Sequence, residues 1–139
     1  MSTTQDKIAA SDHTEQPSSA LIKPVSRLSI IGIGASAGGL AALRNLFAAL
    51  PADSGLTFVV VVHLSPEHES VLAELLQSYT NMPVVQVNGR VQMQPDHVYV
   101  IPPAKSLVVS ADALDLRELH PIRGRHMQID SFFRSLAAE

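Results

Sequence analysis

The sequence predicts an α/β fold, a three-layer, doubly wound domain built around a mainly parallel sheet. Two segments rich in β-branched residues, 28–33 and 58–62, are typical of strands covered on both faces. Each is followed by a segment whose apolar residues recur at helical spacing. Strands joined through helices run parallel, so their carboxyl ends share one edge of the sheet, which is where sites lie in this class.

The two strand–helix units have clear boundaries. After 28–33 come several glycines and then a helix that Pro51 ends; its apolar residues are Leu40, Leu43, Phe47 and Leu50. The second strand ends at His63. Ser65 can cap the next helix and Pro66 suits its first position. The apolar stripe of that helix is Val71, Leu72, Leu75, Leu76 and Tyr79.

The rest of the chain predicts three short strands and a last helix. The strands are 83–87, 97–101 and 106–109, separated by Asn, Gly and Pro turn signals. Asp112 and Asp115 are interpreted as lying in a polar loop. Asp130 is interpreted as the cap of a final helix that carries Phe132, Phe133 and Leu136.

Length and composition limit the classes of protein. The 139 residues amount to one domain, and the net charge of −3 disfavours a protein that coats nucleic acid. The absence of cysteine excludes disulfides and a thiol nucleophile. Residues 1–27 predict a disordered polar tail and 28–139 the folded domain. The uncharged stretch 28–43 is too short and glycine-rich to insert into a membrane, so we expect a cytoplasmic protein.

The residues at 34–38 match the serine-elbow pattern G-x-S-x-G at the end of a strand. Ser36 is then a candidate nucleophile, and the backbone N–H of Ala37 can face a developing oxyanion. A glycine-rich turn with an incidental serine remains open. Gly32, Gly34 and Ala37 also fit a dinucleotide fingerprint, but that interpretation needs an acidic residue where His63 stands.

His63 ends the neighbouring strand, where its ring can act as the general base for Ser36. The alternatives are a histidine bonded locally and a metal site with His68, whose spacing is poor. We expect no metal and no cofactor. A serine triad also needs a carboxylate that orients the histidine ring, and none is evident. No aspartate after His63 ends an apolar strand; these aspartates are Asp96, Asp112, Asp115 and Asp130.

The last quarter of the chain is locally basic, through Arg117, His120, Arg123, Arg125, His126 and Arg134. Such a face is usually just solvated. A functional alternative is that it attracts an acidic protein partner.

Three ordered motifs, at 32–39, 61–66 and 98–103, resemble the catalytic domain of the CheB family of protein-glutamate methylesterases. The chain looks closest to members fused to a CheR-type methyltransferase. The resemblance implies hydrolysis of glutamate methyl esters on chemoreceptors, with some glutamine deamidation, by Ser36 as nucleophile and His63 as base. It also implies a chemoreceptor as substrate and a CheR-type methyltransferase as a further partner.

One feature departs from that resemblance. The family's triad aspartate lies in a later glycine-rich loop, so we expect a C-terminally incomplete domain, truncated before that aspartate, whose activity is impaired. The alternative is a catalytically inactive docking module that binds a receptor or a methyltransferase.

Overall fold

A computed structural model describes residues 27–63, 71–119 and 127–139. The tail predicted at 1–27 therefore lies almost wholly outside the described residues. The elements, in chain order, are β1 (Ser29–Ser36), a 3₁₀ turn (Ala37–Gly39), α1 (Leu40–Ala49), β2 (Leu56–His63), α2 (Leu72–Gln77), β3 (Val84–Gln86), β4 (Val91–Gln92), β5 (His97–Val100), β6 (Lys105–Ser110), β7 (Ala113–Glu118) and α3 (Gln128–Ala137).

The main sheet is parallel, with the strand order β1-β2-β5-β3. β1 and β2 pair along their whole length, from Ser29 opposite Leu56 to Ser36 opposite His63. The α/β fold with a mainly parallel sheet is thus confirmed. Both predicted strand–helix units are present, although the start of the second helix, predicted at Ser65, lies outside the described residues.

The side chains of β2 point alternately into two cores, which makes the fold three-layered. Phe58, Val60 and Val62 pack with α1 and α2 on one face of the sheet. Val59 and Val61 pack on the other face, where Phe132 of α3 and side chains from β6 and β7 cover them. Residues 57–62 of β2 are all buried, as expected of a central parallel strand.

The prediction of a polar loop around Asp112 and Asp115 is wrong. β6 and β7 form an antiparallel hairpin, and β4 pairs with β7 to complete a second, three-stranded sheet. The hairpin turns at Ala111 and Asp112, whose φ angles of 50° and 60° are those of a two-residue turn of the I′ type. Asp115 lies within β7. Because Ala-Asp lacks the usual Asn-Gly signal for such a turn, sequence patterning missed it.

The final helix begins earlier than predicted. α3 starts at Gln128 with Met127 at the N-cap, so Asp130 is not the cap but belongs to the first turn, where a carboxylate favours the helix dipole. Three hydrogen bonds attach α3 to β6, one of them from Ser106 Oγ to Ser131 Oγ (3.4 Å). Gln128 Nε2 donates to the carbonyl of Lys105 (2.8 Å), and the Val109 N–H donates to Ser135 Oγ (3.0 Å).

The other side of α3 packs directly on β1 because a glycine lies beneath it. A Cβ atom added at Gly32 would lie 2.9 Å from the ring of Phe132 and 3.1 Å from the side chains of Phe133 and Leu136. Phe132 is fully buried, so a shift of its ring would disturb the core on this face. Of the helices among the described residues, none is long and apolar enough to cross a membrane.

We predict that Gly32→Ala lowers the free energy of unfolding by about 1–3 kcal/mol, because the added methyl group overpacks this contact. Gly89→Ala is the matched control. Gly89 is exposed, and a Cβ there meets nothing within 4 Å, so its stability should not fall. Urea denaturation of both variants measures the difference. Equal stability of the two variants would contradict the close packing of α3 on β1.

A second prediction concerns Tyr99, whose side chain is buried while its hydroxyl accepts a hydrogen bond from the Gln94 N–H (2.9 Å). Burial raises the pKa of the phenol above 10.0, and the backbone hydrogen bond opposes the shift. Above pH 10 the unfolded chain therefore loses this proton before the folded chain does, so stability falls with rising pH.

The fall should be at most about 1.4 kcal/mol per pH unit for one proton. Denaturation at several pH values between 9 and 11 measures the slope, and Tyr99→Phe should flatten it even though that variant starts from a lower stability. An unchanged slope in Tyr99→Phe would show that another group titrates.

Candidate active site

Ser36 lies where β1 changes into a helix. Its backbone is extended (φ −91°, ψ 175°), and Ala37 opens the 3₁₀ turn that runs on into α1. The first N–H groups of a helix have no partner within the helix, so the Ala37 N–H is of the kind that can bind an anionic oxygen. Ser36 and Gly38 are exposed, and a Cβ at Gly38 would lie 4.0 Å from Ser36 Oγ. The absence of a side chain there leaves the hydroxyl open to approach.

His63 is the last residue of β2 and is the register partner of Ser36. Neighbouring strands lie about 4.8 Å apart, so these two residues are adjacent at the carboxyl edge of the sheet. The sequence predicted their proximity from the order of the elements alone. Pairing brings them together because β1 and β2 are neighbours with no other strand between them.

The alternation of the two strands puts both side chains on one face of the sheet. Ala35 packs on the side of the sheet that α1 covers. A Cβ atom at Gly34 would lie 2.7 Å from Ile129 of α3, so Gly34 faces the other side. Because side chains alternate along a strand, Ser36 faces the same side as Gly34. His63 is two residues after Val61 in β2, so its side chain points to the same face, where Val61 packs in the core beneath α3. His63 is exposed.

Of the hydrogen bonds and ion pairs of the described residues, none joins Ser36 to the His63 ring, and none joins that ring to a carboxylate. Hydrogen bonds between catalytic groups are often loose until substrate binds. The arrangement therefore offers a serine, a histidine and a free helix N–H at one edge, without an orienting acid from the described part of the chain.

Three of the four candidate aspartates lie away from this edge. Asp96 is at the opposite end of the sheet, where its Oδ1 accepts a hydrogen bond from the Gly55 N–H (2.6 Å) before β2 begins. Asp112 is in the hairpin turn, and Asp115 pairs with Arg90 at 2.6 Å. Asp96 and Asp115 therefore have other, local roles.

Asp130 is the one of the four candidate aspartates that lies at the same edge of the sheet as Ser36. It follows Ile129, which packs over Gly34 near the end of β1, so the first turn of α3 lies at the same edge as Ser36. Asp130 is exposed. The sequence identified the residue but not this position, because the start of α3 was predicted too late.

The dinucleotide, metal and basic-face interpretations have different outcomes. The dinucleotide pattern lacks its acid, since His63 ends β2 and Asp53 precedes that strand. Of the histidines in the metal alternative, His68 lies outside the described residues. Within the basic segment, Arg117 and Arg134 are exposed. Its other members, His120, Arg123, Arg125 and His126, lie outside the described residues.

Comparison with known proteins supports one family. The family model described as CheB methylesterase matches residues 31–139. A protein-glutamate methylesterase/protein-glutamine glutaminase from Burkholderia lata is 35% identical over 109 residues, which are 78% of this chain and 32% of the relative. Another relative with that description, from Xanthomonas campestris, is 33% identical over 113 residues, 78% of this chain and 31% of its own.

A solved structure agrees in fold. The CheB methylesterase catalytic domain of Thermotoga maritima superposes with a TM-score of 0.69 at 24% identity, over 80% of this chain and 61% of that domain. The chain spans about a third of the length of the two curated relatives. The match of the family model from β1 to the end of α3 shows that the chain belongs to the CheB methylesterase family.

Proposed function

We propose that this protein hydrolyses glutamate methyl esters on chemoreceptors in the cytoplasm, with Ser36 as the nucleophile and His63 as the general base. The observation that supports the proposal most directly is the register pairing of these two residues. The Burkholderia lata relative is described as both a methylesterase and a glutaminase. Deamidation of receptor glutamine is the corresponding second reaction, because an amide and an ester pass through the same kind of tetrahedral intermediate.

The mechanism begins with attack of Ser36 Oγ on the ester carbonyl while the His63 ring accepts the hydroxyl proton. Negative charge then develops on the carbonyl oxygen, and the Ala37 N–H donates a hydrogen bond to it. The imidazolium returns its proton to the leaving methoxide, and methanol departs. A water molecule, deprotonated by the same ring, hydrolyses the acyl-enzyme and releases the glutamate side chain.

A serine-directed fluorophosphonate probe tests the two assigned roles without requiring a receptor. We expect the probe to label the chain at Ser36 and Ser36→Ala to abolish the labelling. His63→Ala should slow it by about 10² or more, since the hydroxyl loses its proton acceptor. The rate of labelling, followed by mass spectrometry, measures both effects.

The matched control is His97→Ala. His97 is half-buried at the amino end of β5, at the far end of the sheet, and its Nδ1 lies 2.8 Å from the Pro95 carbonyl oxygen. Its removal should leave the labelling rate unchanged. No labelling of Ser36 in the unaltered chain would favour the other candidate function, a docking module that binds a receptor or a CheR-type methyltransferase without catalysis.

A further part of the proposal is that this chain alone turns over slowly. It is supported by the lack of a carboxylate contact at the His63 ring among the described residues. Replacement of the triad carboxylate in serine hydrolases costs roughly 10⁴ in turnover, because the ring loses the tautomer and orientation it needs.

We therefore expect methanol release from a methylated receptor fragment to be about 10³- to 10⁴-fold slower than with a complete catalytic domain such as that from Thermotoga maritima. Asp130→Asn should cause no further loss, because no contact among the described residues joins Asp130 to the His63 ring. A rate equal to that of the complete domain would refute the impairment. A large loss in Asp130→Asn would identify Asp130 as the substitute acid.

A further inference from the structure

The backbone around Ser36 sets the position of its hydroxyl. No hydrogen bond joins the Ser36 side chain to another described residue, and the side chain does not cap the 3₁₀ turn that follows. A serine hydroxyl can occupy only a few staggered positions about the Cα–Cβ bond. The backbone of residues 34–39 therefore decides where Oγ can lie, and the contacts that hold this backbone also hold the hydroxyl.

On the face of the sheet that α1 covers, the turn itself packs on β1. A Cβ atom added at Gly39 would lie 2.9 Å from the Cβ of Ala35, so the end of the 3₁₀ turn lies closely over the strand. Ala35 in turn packs against the core beneath α1. This contact joins residues four apart in sequence, and it fixes the turn relative to the end of the strand.

On the opposite face, the end of β1 is held by α3. A Cβ atom added at Gly34 would lie 2.7 Å from Cγ2 of Ile129 and 3.0 Å from the ring of Phe133. Carbon atoms in contact are normally about 3.5–4.0 Å apart, so Ile129 Cγ2 lies directly on the Gly34 backbone. Ile129 is half-buried and packs against the core beneath α3, whereas Phe133 is 38% exposed. Ile129 is thus the closer and the better anchored of the two side chains.

We propose that Ile129 is a positioning residue for Ser36. Its Cγ2 methyl group, packed on the Gly34 backbone, holds the end of β1 so that the Ser36 hydroxyl faces the His63 ring. This role rests on the proposed function, in which Ser36 and His63 carry the reaction. A displacement of about 1 Å can cost on the order of 10² in rate, so a contact two residues before the nucleophile can control the bond-forming step.

The contact atom distinguishes positioning from simple filling of the core. Cγ2 branches from the Cβ of Ile129, while Cδ1 would lie 3.8 Å from a Cβ at Gly34, an ordinary contact distance. Valine keeps both γ carbons and lacks only Cδ1. Leucine has the volume of isoleucine but a single γ carbon. A residue that only filled space would tolerate leucine at least as well as valine, because volume is conserved. A positioning role reverses that order.

The fluorophosphonate probe measures this order on the 139-residue chain. Its concentration dependence separates the dissociation constant of the first complex from the rate constant of bond formation with Ser36. We expect Ile129→Leu and Ile129→Ala to lower the rate constant about tenfold or more, with the dissociation constant unchanged, because alignment is lost and binding is not. Ile129→Val should stay within about twofold of the unaltered chain.

Leu136→Ala is the matched control. Leu136 is also half-buried on α3 and packs against the same core as Ile129, but its Cδ2 would lie 3.1 Å from a Cβ at Gly32, nearer the amino end of β1. This variant loses a comparable apolar contact away from Ser36. Its rate constant for bond formation should therefore stay within about twofold of that of the unaltered chain.

Hydrogen exchange supplies a readout that does not depend on the probe. Ile129→Ala should speed exchange at the amides of residues 34–37 more than at those of residues 30–32, and Leu136→Ala should show the reverse. An unaltered rate in Ile129→Leu, a milder effect of leucine than of valine, equal slowing by Leu136→Ala, or exchange without this local difference overturns the positioning role and leaves the proposed function intact. Failure of the unaltered chain to label at Ser36 overturns both, because no nucleophile is then positioned.

Discussion

The parallel pairing of β1 with β2 is the interaction on which the rest of the structure depends. Eight consecutive register pairs fix the two strands, and the last pair is Ser36 with His63. A shift of one residue would turn alternate side chains to the opposite face. Such a shift would exchange the side chains of Val59 to Val62 between the two cores and disturb the packing of both. The packing of the two cores therefore supports the register that places Ser36 beside His63.

The second constraint is the close contact between α3 and β1. Gly32 and Gly34 leave room for side chains of α3 to lie directly on the strand backbone. Gly34, a glycine of the serine-elbow pattern, thus also serves the packing of a helix far away in sequence. This contact places the amino end of α3 at the edge of the sheet where Ser36 lies. Asp130 is in the first turn of α3 and is therefore the acidic residue at that edge.

Much of this arrangement could be predicted from the sequence, for physical reasons. The run from Phe58 to Val62 is typical of a buried strand, and a serine between glycines after a strand indicates a sharp turn into a helix. Sequence patterns failed to predict the elements whose position depends on contacts between distant parts of the chain. β7 alternates Leu114, Asp115, Leu116 and Arg117, but the Ala111-Asp112 turn before it adopts positive φ without a glycine, so no local turn signal marks the hairpin. At the start of α3 the Gln128 side chain donates a hydrogen bond to the Lys105 carbonyl of β6, a contact that no local signal reveals.

The position of Ser36 makes its geometry depend on the stability of β1. β2 pairs with its strand on one side, and no other strand of the described residues pairs with it on the opposite side. An edge strand held from one side opens locally more easily than a central one, because half of its backbone hydrogen bonds are to solvent. The geometry between Ser36 and His63 is therefore only as rigid as β1 itself.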